Sequence, residues 1–359
     1  MKKNKWAIFQ VWLCSLFLLA GCAQTEIIDD VRLVTGIGYD KGEGDKVIGT
    51  VLIPFYMPDQ NVENNTLTTS ASPTRDLFNN FDQMSSDPVV GGSLEVALFG
   101  MDFAKKGIYQ VLDALQRDPG VGTKAYLVVV DGKAQEILEG DYGKRGNSSY
   151  ISDLLDHNIK TRDMPKTNMH LFMSDFYQTG KTAYLPIIKK KDDKAVQLNG
   201  IALLKDGKVV DKIPRNEMFY FKIMTGNYAE GTQRVVLGKN KAMVESIKTK
   251  FKKKLVRRNP YEIDVHIKVK GYVPQYTGHQ LNQKIISEIE RALENDIGQH
   301  SGKLVKQFQQ KGVDPFAFGQ FVQSKTRGFS YKKWKNTDYK NLKVNIKPTV
   351  HIVESGVIQ

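Results

Sequence analysis

Apolar and polar residues alternate most cleanly late in the chain, where Tyr261-Glu262-Ile263-Asp264-Val265-His266-Ile267-Lys268-Val269 changes character at every step. A period of two marks a strand with one buried face. Downstream, Leu281, Ile285, Ile289, Leu293 and Ile297 recur every fourth residue, and Leu304 and Phe308 extend the stripe. That spacing predicts a long amphipathic helix, with Gly298 and Gly302 marking where it would bend. On this reading Leu293 lies in the core and Glu290 faces solvent. Val344, Ile346, Val350 and Ile352 alternate again, and Pro348 assigns this segment to an edge or a bulge. The result is a β–long helix–β unit. Met243–Leu255 satisfies helical and strand spacing alike and stays open between them.

Towards the start, Arg32–Tyr39 and Lys46–Pro54 flank a turn-rich stretch and predict a hairpin. Met57–Pro73, rich in Asn, Thr and Ser, reads as a loop or lid. A helix is expected over Arg75–Met84, a strand over Leu94–Phe99 and a helix over Phe103–Gln116. Ala125–Val130 is a buried strand by its continuous apolar run. Pro186–Lys194 is charged and breaks the pattern. Beyond it, Gly200–Leu204 and Lys208–Val210 flank Asp206-Gly207, a two-residue hairpin turn, and Asn216–Met224 reads as one more strand. No internal repeat is visible. The fold class expected is mixed α/β, or α+β, in several domains: an N-terminal α/β region over 22–195, a small β-rich segment over 196–230 and a C-terminal α/β domain over 231–359.

Residues 1–21 belong to none of these. Met1-Lys2-Lys3-Asn4-Lys5 is basic, an apolar run begins at Trp6, and Leu19-Ala20-Gly21-Cys22 closes it. This is the layout of a lipoprotein signal peptide with its lipobox. Its small residues admit the processing enzymes, the Cys22 thiol takes a diacylglyceryl group, and cleavage leaves Cys22 as the acylated first residue. Two signals or chains anchor stably where a single acyl chain does not. The competing reading is an uncleaved transmembrane anchor, but Trp6–Ala20 spans about 22 Å at 1.5 Å per residue, short of a hydrocarbon core of about 30 Å.

Charge and cysteine content sharpen this picture. The formal net charge is +13, and loss of Lys2, Lys3 and Lys5 with the signal leaves +10. For an exported chain a lysine-rich surface suits anionic lipid or an acidic polymer, and equally a solvated face; nucleic acid is not an expected partner. Of the two cysteines, Cys14 leaves with the signal and Cys22 is consumed by lipid, so no disulfide is expected in the folded part.

Several motifs fall short of chemistry. Gly36-Ile37-Gly38-Tyr39-Asp40-Lys41-Gly42 approaches a dinucleotide fingerprint, but its third glycine comes one place late and it lies in a predicted hairpin. Gly180-Lys181-Thr182 ends like a phosphate loop, yet Asp175 occupies the first glycine position. Ser330-Tyr331-Lys332-Lys333 satisfies Ser-x-x-Lys without the accompanying Ser-x-Asn and Lys-Thr-Gly elements. The six histidines, at 157, 170, 266, 279, 300 and 351, show no zinc-ligand spacing. His266 and His351 fall on the polar phase of strands, as do Glu262 and Asp264. Asp314-Pro315-Phe316-Ala317-Phe318-Gly319 is either an interaction knob or an internal wedge, and two aromatics beside a proline favour core, with Asp314 capping a short helix that has Pro315 at its first position. No catalytic residue, metal or cofactor is expected.

In order along the chain stand Val34-Thr35-Gly36-Ile37-Gly38-Tyr39-Asp40, Leu115-Gln116-Arg117-Asp118-Pro119, Lys133-Ala134-Gln135-Glu136-Ile137-Leu138 and Tyr184-Leu185-Pro186. Gly200-Ile201-Ala202-Leu203, Asp206-Gly207-Lys208, Glu217 and Asp314–Gly319 ahead of Trp334 follow. In this order and spacing, after a lipobox, the chain resembles the Ger(x)C family, the lipoprotein C subunits of nutrient germinant receptors. It departs by having Ala23-Gln24 where members often place Trp-Asp after the lipid cysteine. The resemblance implies three domains of unusual fold, no enzymatic activity, and anchoring at the outer face of the spore inner membrane. It also implies assembly with two integral-membrane subunits, A and B. The rival readings are a solute-binding lipoprotein of a transporter, which needs two doubly wound lobes around a cleft, and an exported hydrolase, whose motifs are incomplete.

Overall fold

Strands with continuous apolar runs need cover on both faces, and the chain supplies it by packing them centrally. The computed structural model describes residues 31–58, 61–72, 76–226 and 230–353. The signal segment and Cys22 lie outside the described residues. The strands are β1 (Arg32–Leu33), β2 (Gly36–Lys41), β3 (Val47–Tyr56), β4 (Val62–Ala71), β5 (Val89–Val90), β6 (Val96–Gly100) and β7 (Tyr126–Val130). They continue with β8 (Ala183–Asp192), β9 (Ala195–Lys205), β10 (Lys208–Pro214), β11 (Gly231–Leu237), β12 (Asn240–Arg258), β13 (Tyr261–Tyr276) and β14 (Lys343–Ile352).

The first sheet has eight strands in the order β10-β9-β8-β7-β6-β2-β3-β4. Its centre, β8-β7-β6-β2, is parallel, and antiparallel hairpins extend it at both sides. Every residue of β6 is buried, and its side chains part by period two: Val96 and Leu98 join one core, Ala97 and Phe99 the other. The core holding Leu98 runs on without a break into the C-terminal part, through Phe221, Phe308 and Phe316.

The second sheet is ordered β11-β12-β13-β14. β13 and β14 pair in parallel, so the chain must cross over between them. The helix Gln283–Lys311 makes that crossing, running unbroken past Gly298 and Gly302. The Asn282 side chain caps its start by accepting from Ile285 N at 3.0 Å, and Gly312 ends it in the left-handed conformation, φ 63°. Ile289, Leu293, Ile297 and Phe308 are fully buried. The α+β class and the β–long helix–β unit are those the periodicity leads one to expect.

Several local expectations are overturned. Met57–Pro73 is no loop or lid throughout: β4 fills its centre as an edge strand, where the Thr50 and Thr68 hydroxyls meet across the pair at 3.0 Å. The helix expected over Phe103–Gln116 is two helices, Met101–Lys106 and Tyr109–Arg117, parted at Gly107 with φ 135°. Pro186–Lys194 continues the sheet as the outer half of β8, paired with β9. Asn216–Met224 contains no strand; Met218–Thr225 is a helix buried on all sides, and a short run that is apolar but for Lys222 carries no period to tell the two apart. Met243–Leu255 resolves as strand, within β12.

Glu290 is also not a solvated residue. Its Oε1 accepts from Ile352 N at 2.8 Å, and Glu294 Oε1 accepts from Val350 N at 2.8 Å. The helix thereby covers the donors of β14, the exposed edge of its sheet. Leu293→Ala should cost about 2–5 kcal/mol through the cavity left in the core, read as a lowered thermal midpoint; an unchanged midpoint would refute core placement. Glu290→Ala should cost about 1 kcal/mol or more by orphaning the Ile352 amide. Glu290→Gln, which keeps an acceptor, should restore most of that loss in the same melt.

Candidate functional site

The sequence motifs that resemble chemistry prove to be devices for joining segments. Gly38 lies on β2 where the helix Ala134–Leu138 crosses it: a Cβ there would stand 3.0 Å from both Ala134 Cβ and Leu138 Cδ1. Two residues on, the Asp40 carboxylate accepts from Ala134 N at 2.8 Å and Gln135 N at 2.9 Å. Asp40 thus caps that helix from a distant strand, and the helix N-terminus attracts its negative charge. Burial nevertheless raises its pKa, against those two amide bonds and Lys133. The glycines and aspartate of the apparent dinucleotide fingerprint therefore seat a helix on a sheet.

Gly180-Lys181-Thr182 forms the seam between the first sheet and the C-terminal part. Lys181 Nζ donates to Asp175 Oδ1 at 2.7 Å, so its charge is already answered. Thr182 N donates to Asp314 O at 3.0 Å, and Asp314 N donates to Thr182 Oγ1 at 2.8 Å. Gly180, at φ 84°, admits the Tyr331 ring, which would lie 2.4 Å from a Cβ. A strand follows this turn, where a phosphate loop would open a helix.

Asp314 anchors the seam from inside. Its Oδ1 accepts from Phe318 N at 3.0 Å and its Oδ2 from Gly319 N at 2.7 Å, at the start of the helix Phe318–Lys325. It caps a helix as expected. Pro315 is not at the first helical position, however, because Ala317, at φ 54°, intervenes. Phe316 and Phe318 are buried, as a core reading requires. Full burial lifts the Asp314 carboxyl to about 6, against the two amides and the charges of Lys253 and Lys181. Lys253 reaches the same knot from β12. Its ammonium donates to Phe316 O and lies over the Phe318, Phe251 and Phe321 rings at 5.1, 5.6 and 5.8 Å. Its burial there pushes the pKa down to about 8.

Beside this seam opens a cleft of about 970 Å³. Tyr109, Phe176, Lys181, Lys311, Trp334 and Lys340 are among the side chains that line it. It is polar, aromatic and basic, and suits the recognition of another molecule. Ser330 Oγ accepts from Lys333 N at 3.4 Å, a helix cap in place of a nucleophile with its base. His300 stacks on Tyr220, centroids 4.2 Å apart, with Nδ1 3.0 Å from both Glu217 carboxylate oxygens. His351 lies 3.7 Å from Glu290, and His266 sits opposite Lys252 and Lys347 across its sheet. Among the described residues no three His, Cys, Asp or Glu side chains gather as metal ligands. No described helix is long and apolar enough to cross a membrane. The Lys253–Asp314 knot and the Glu217–His300 pair escape sequence reasoning, since each joins residues far apart in the chain.

Comparison with known proteins places this architecture. Residues 24–190 match the spore germination protein N-terminal domain, and residues 199–356 the spore germination B3/GerAC-like C-terminal domain. The spore germination protein GerQC of Bacillus cereus is 32% identical over 364 residues, covering 99% of this chain and all of GerQC. The putative spore germination protein YfkR of Bacillus subtilis (strain 168) is 23% identical, covering 100% of this chain and 98% of that protein. The crystal structure of the GerBC protein shares the fold at a TM-score of 0.62 and 16% identity, over 89% of this chain and 97% of that one. With two domain matches that together span most of its length and a full-length relative at this identity, the chain belongs to the GerAC-like, or Ger(x)C, family of spore germination proteins.

Proposed function

We propose that the chain is the lipid-anchored C subunit of a spore nutrient germinant receptor. In this reading Cys22 carries the diacylglyceryl group and a further acyl chain, and holds the folded body at the outer face of the spore inner membrane. It works there by assembling with the integral-membrane A and B subunits. The observation that carries the reading is the end-to-end likeness to GerQC, and the lipobox at Leu19–Cys22 supports the anchor. The subunit acts by binding, without catalysis. Its Ser-x-x-Lys serine is a helix cap, and its phosphate-loop lysine is paired with Asp175.

The rival reading, a solute-binding lipoprotein, needs two doubly wound lobes facing a cleft. Among the described residues the two larger sheets are instead one mixed eight-stranded sheet and one four-stranded sheet that share a core, beside the two-stranded β1-β5 pair, which favours the receptor subunit.

Cys22→Ala should leave an unacylated precursor that leaves the spore membrane fraction and abolishes the nutrient response. Mass spectrometry of the native protein showing a free Cys22 thiol would refute the anchor. Crosslinking in spore membranes should join the chain to two polytopic subunits, and recovery of transporter components in their place would favour the rival. Ser330→Ala should cost about 1 kcal/mol, the worth of a cap, and leave germination intact. Covalent labelling of Ser330 by a β-lactam would overturn the non-catalytic reading.

A further inference from the structure

The second sheet has two unlike faces. One packs on the long helix through Ile263, Val265, Ile267 and Val269. The other bears a row of exposed lysines along β12: Lys248, Lys250, Lys252 and Lys254. The register sets lysine against lysine over the first half of the row. Lys248 stands opposite Lys270 and Lys250 opposite Lys268; Lys252 stands opposite His266, which in turn stands opposite Lys347 on β14, and Lys254 at the far end stands opposite Asp264. Like charges placed directly across a sheet lower its stability, so this row works against the fold that holds it.

Compensation exists at one end alone. Asp264 binds Lys347 at 2.5 Å, while Glu262 binds Lys343 at 3.2 Å and Arg257 at 3.0 Å. Among the described residues, Lys248, Lys250, Lys252, Lys254, Lys268 and Lys270 form no ion pair. Bulges in β12 lie at both ends of the row, at the register shifts between Ser246 and Lys248 and between Leu255 and Arg257. The bulged residues are Ile247 and Val256, which are 45% and 52% exposed.

We infer that this sheet face docks on the anionic headgroup surface of a lipid bilayer. The inference deepens the membrane-anchored reading above and rests on it. The row consists of lysines, which are compact and strongly hydrated cations on flexible stems. They suit a shifting field of anions, where arginine forks suit fixed bidentate partners. Each near-surface lysine adds to attraction by anionic lipid, and the total falls with salt. Exposed Ile247 and Val256, at the two ends of the row, are apolar points that a bilayer interface accepts and a soluble polyanion does not reward. A body already held at a bilayer by acyl chains also presents this face to the headgroups at high effective concentration.

The test uses the unacylated chain from residue 22 onward carrying Cys22→Ser, which keeps every described residue and makes the outcome independent of lipidation. Flotation with vesicles of phosphatidylcholine, alone or mixed with phosphatidylglycerol, should show binding to the mixed vesicles that weakens as salt rises. Lys248→Gln, Lys250→Gln, Lys252→Gln and Lys268→Gln together should weaken it roughly a hundredfold. The same change at exposed Lys105, Lys124, Lys133 and Lys144 should alter it less than about threefold. The thermal midpoint of the face variant should not fall, since repulsion is removed. Ile247→Ser with Val256→Ser should weaken vesicle binding and spare binding to polyglutamate. Equal losses in both lysine sets would reduce the effect to net charge and overturn the inference. So would failure to bind either vesicle, or vesicle binding indifferent to the serine pair while polyglutamate binding follows the lysines.

Discussion

A carboxylate buried away from water has to be answered by donors, and Asp314 collects its donors where the two halves of the chain meet. Its side chain takes the amides of Phe318 and Gly319, while its backbone exchanges hydrogen bonds with Thr182 at the entrance to β8. The first sheet and the C-terminal part are thereby held in one register. Around this knot, Phe221, Phe308 and Phe316 close into a single core. The approach is tight enough that a Cβ on Gly319 would fall 2.8 Å from Trp334 Nε1. Both the cleft beside Lys181 and the outward aspect of the second sheet depend on how this joint sets one half against the other.

Much of this architecture is legible along the chain because water imposes a period on any element with one dry face. The long helix and β13 declare themselves for that reason, and so does the Asp206-Gly207 hairpin, where two residues must take positive φ. The helix Met218–Thr225 is illegible for the converse reason: buried on every side, it has no polar face to set a rhythm. β4 hides because an edge strand with threonine and asparagine resembles a loop in composition, though threonine suits a pleated surface well.

The candidate sites divide along the same line. The reading of Cys22 as a lipid site rests on local chemistry alone, because a lipobox is a contiguous segment. The Asp40 cap, the Lys253 cage and the Glu290 contact with Ile352 each depend on residues brought together by tertiary structure. Periodicity sorts Glu290 correctly away from the apolar stripe and still misjudges it, because a polar side chain beside a sheet edge has work that hydropathy cannot register. The lysines of β12 are plain in the sequence. Their significance emerges with the register, which sets Lys248 and Lys250 against Lys270 and Lys268 and leaves a carboxylate, Asp264, only at the far end of the row.

The parallel pairing of β13 with β14 also sets an order of events during folding. A parallel neighbour has to wait for its crossover, and here that means the whole of Gln283–Lys311 and the turns after it. Such non-local pairing is slow to form. Throughout that wait the edge of β13 is open, a template on which the strand of another nascent chain can add. Lys268 and Lys270 on β13, beside the lysines of β12, repel any copy of the same sequence that approaches it. The charges that mark one face of the finished sheet thus also disfavour self-addition while that sheet is unfinished.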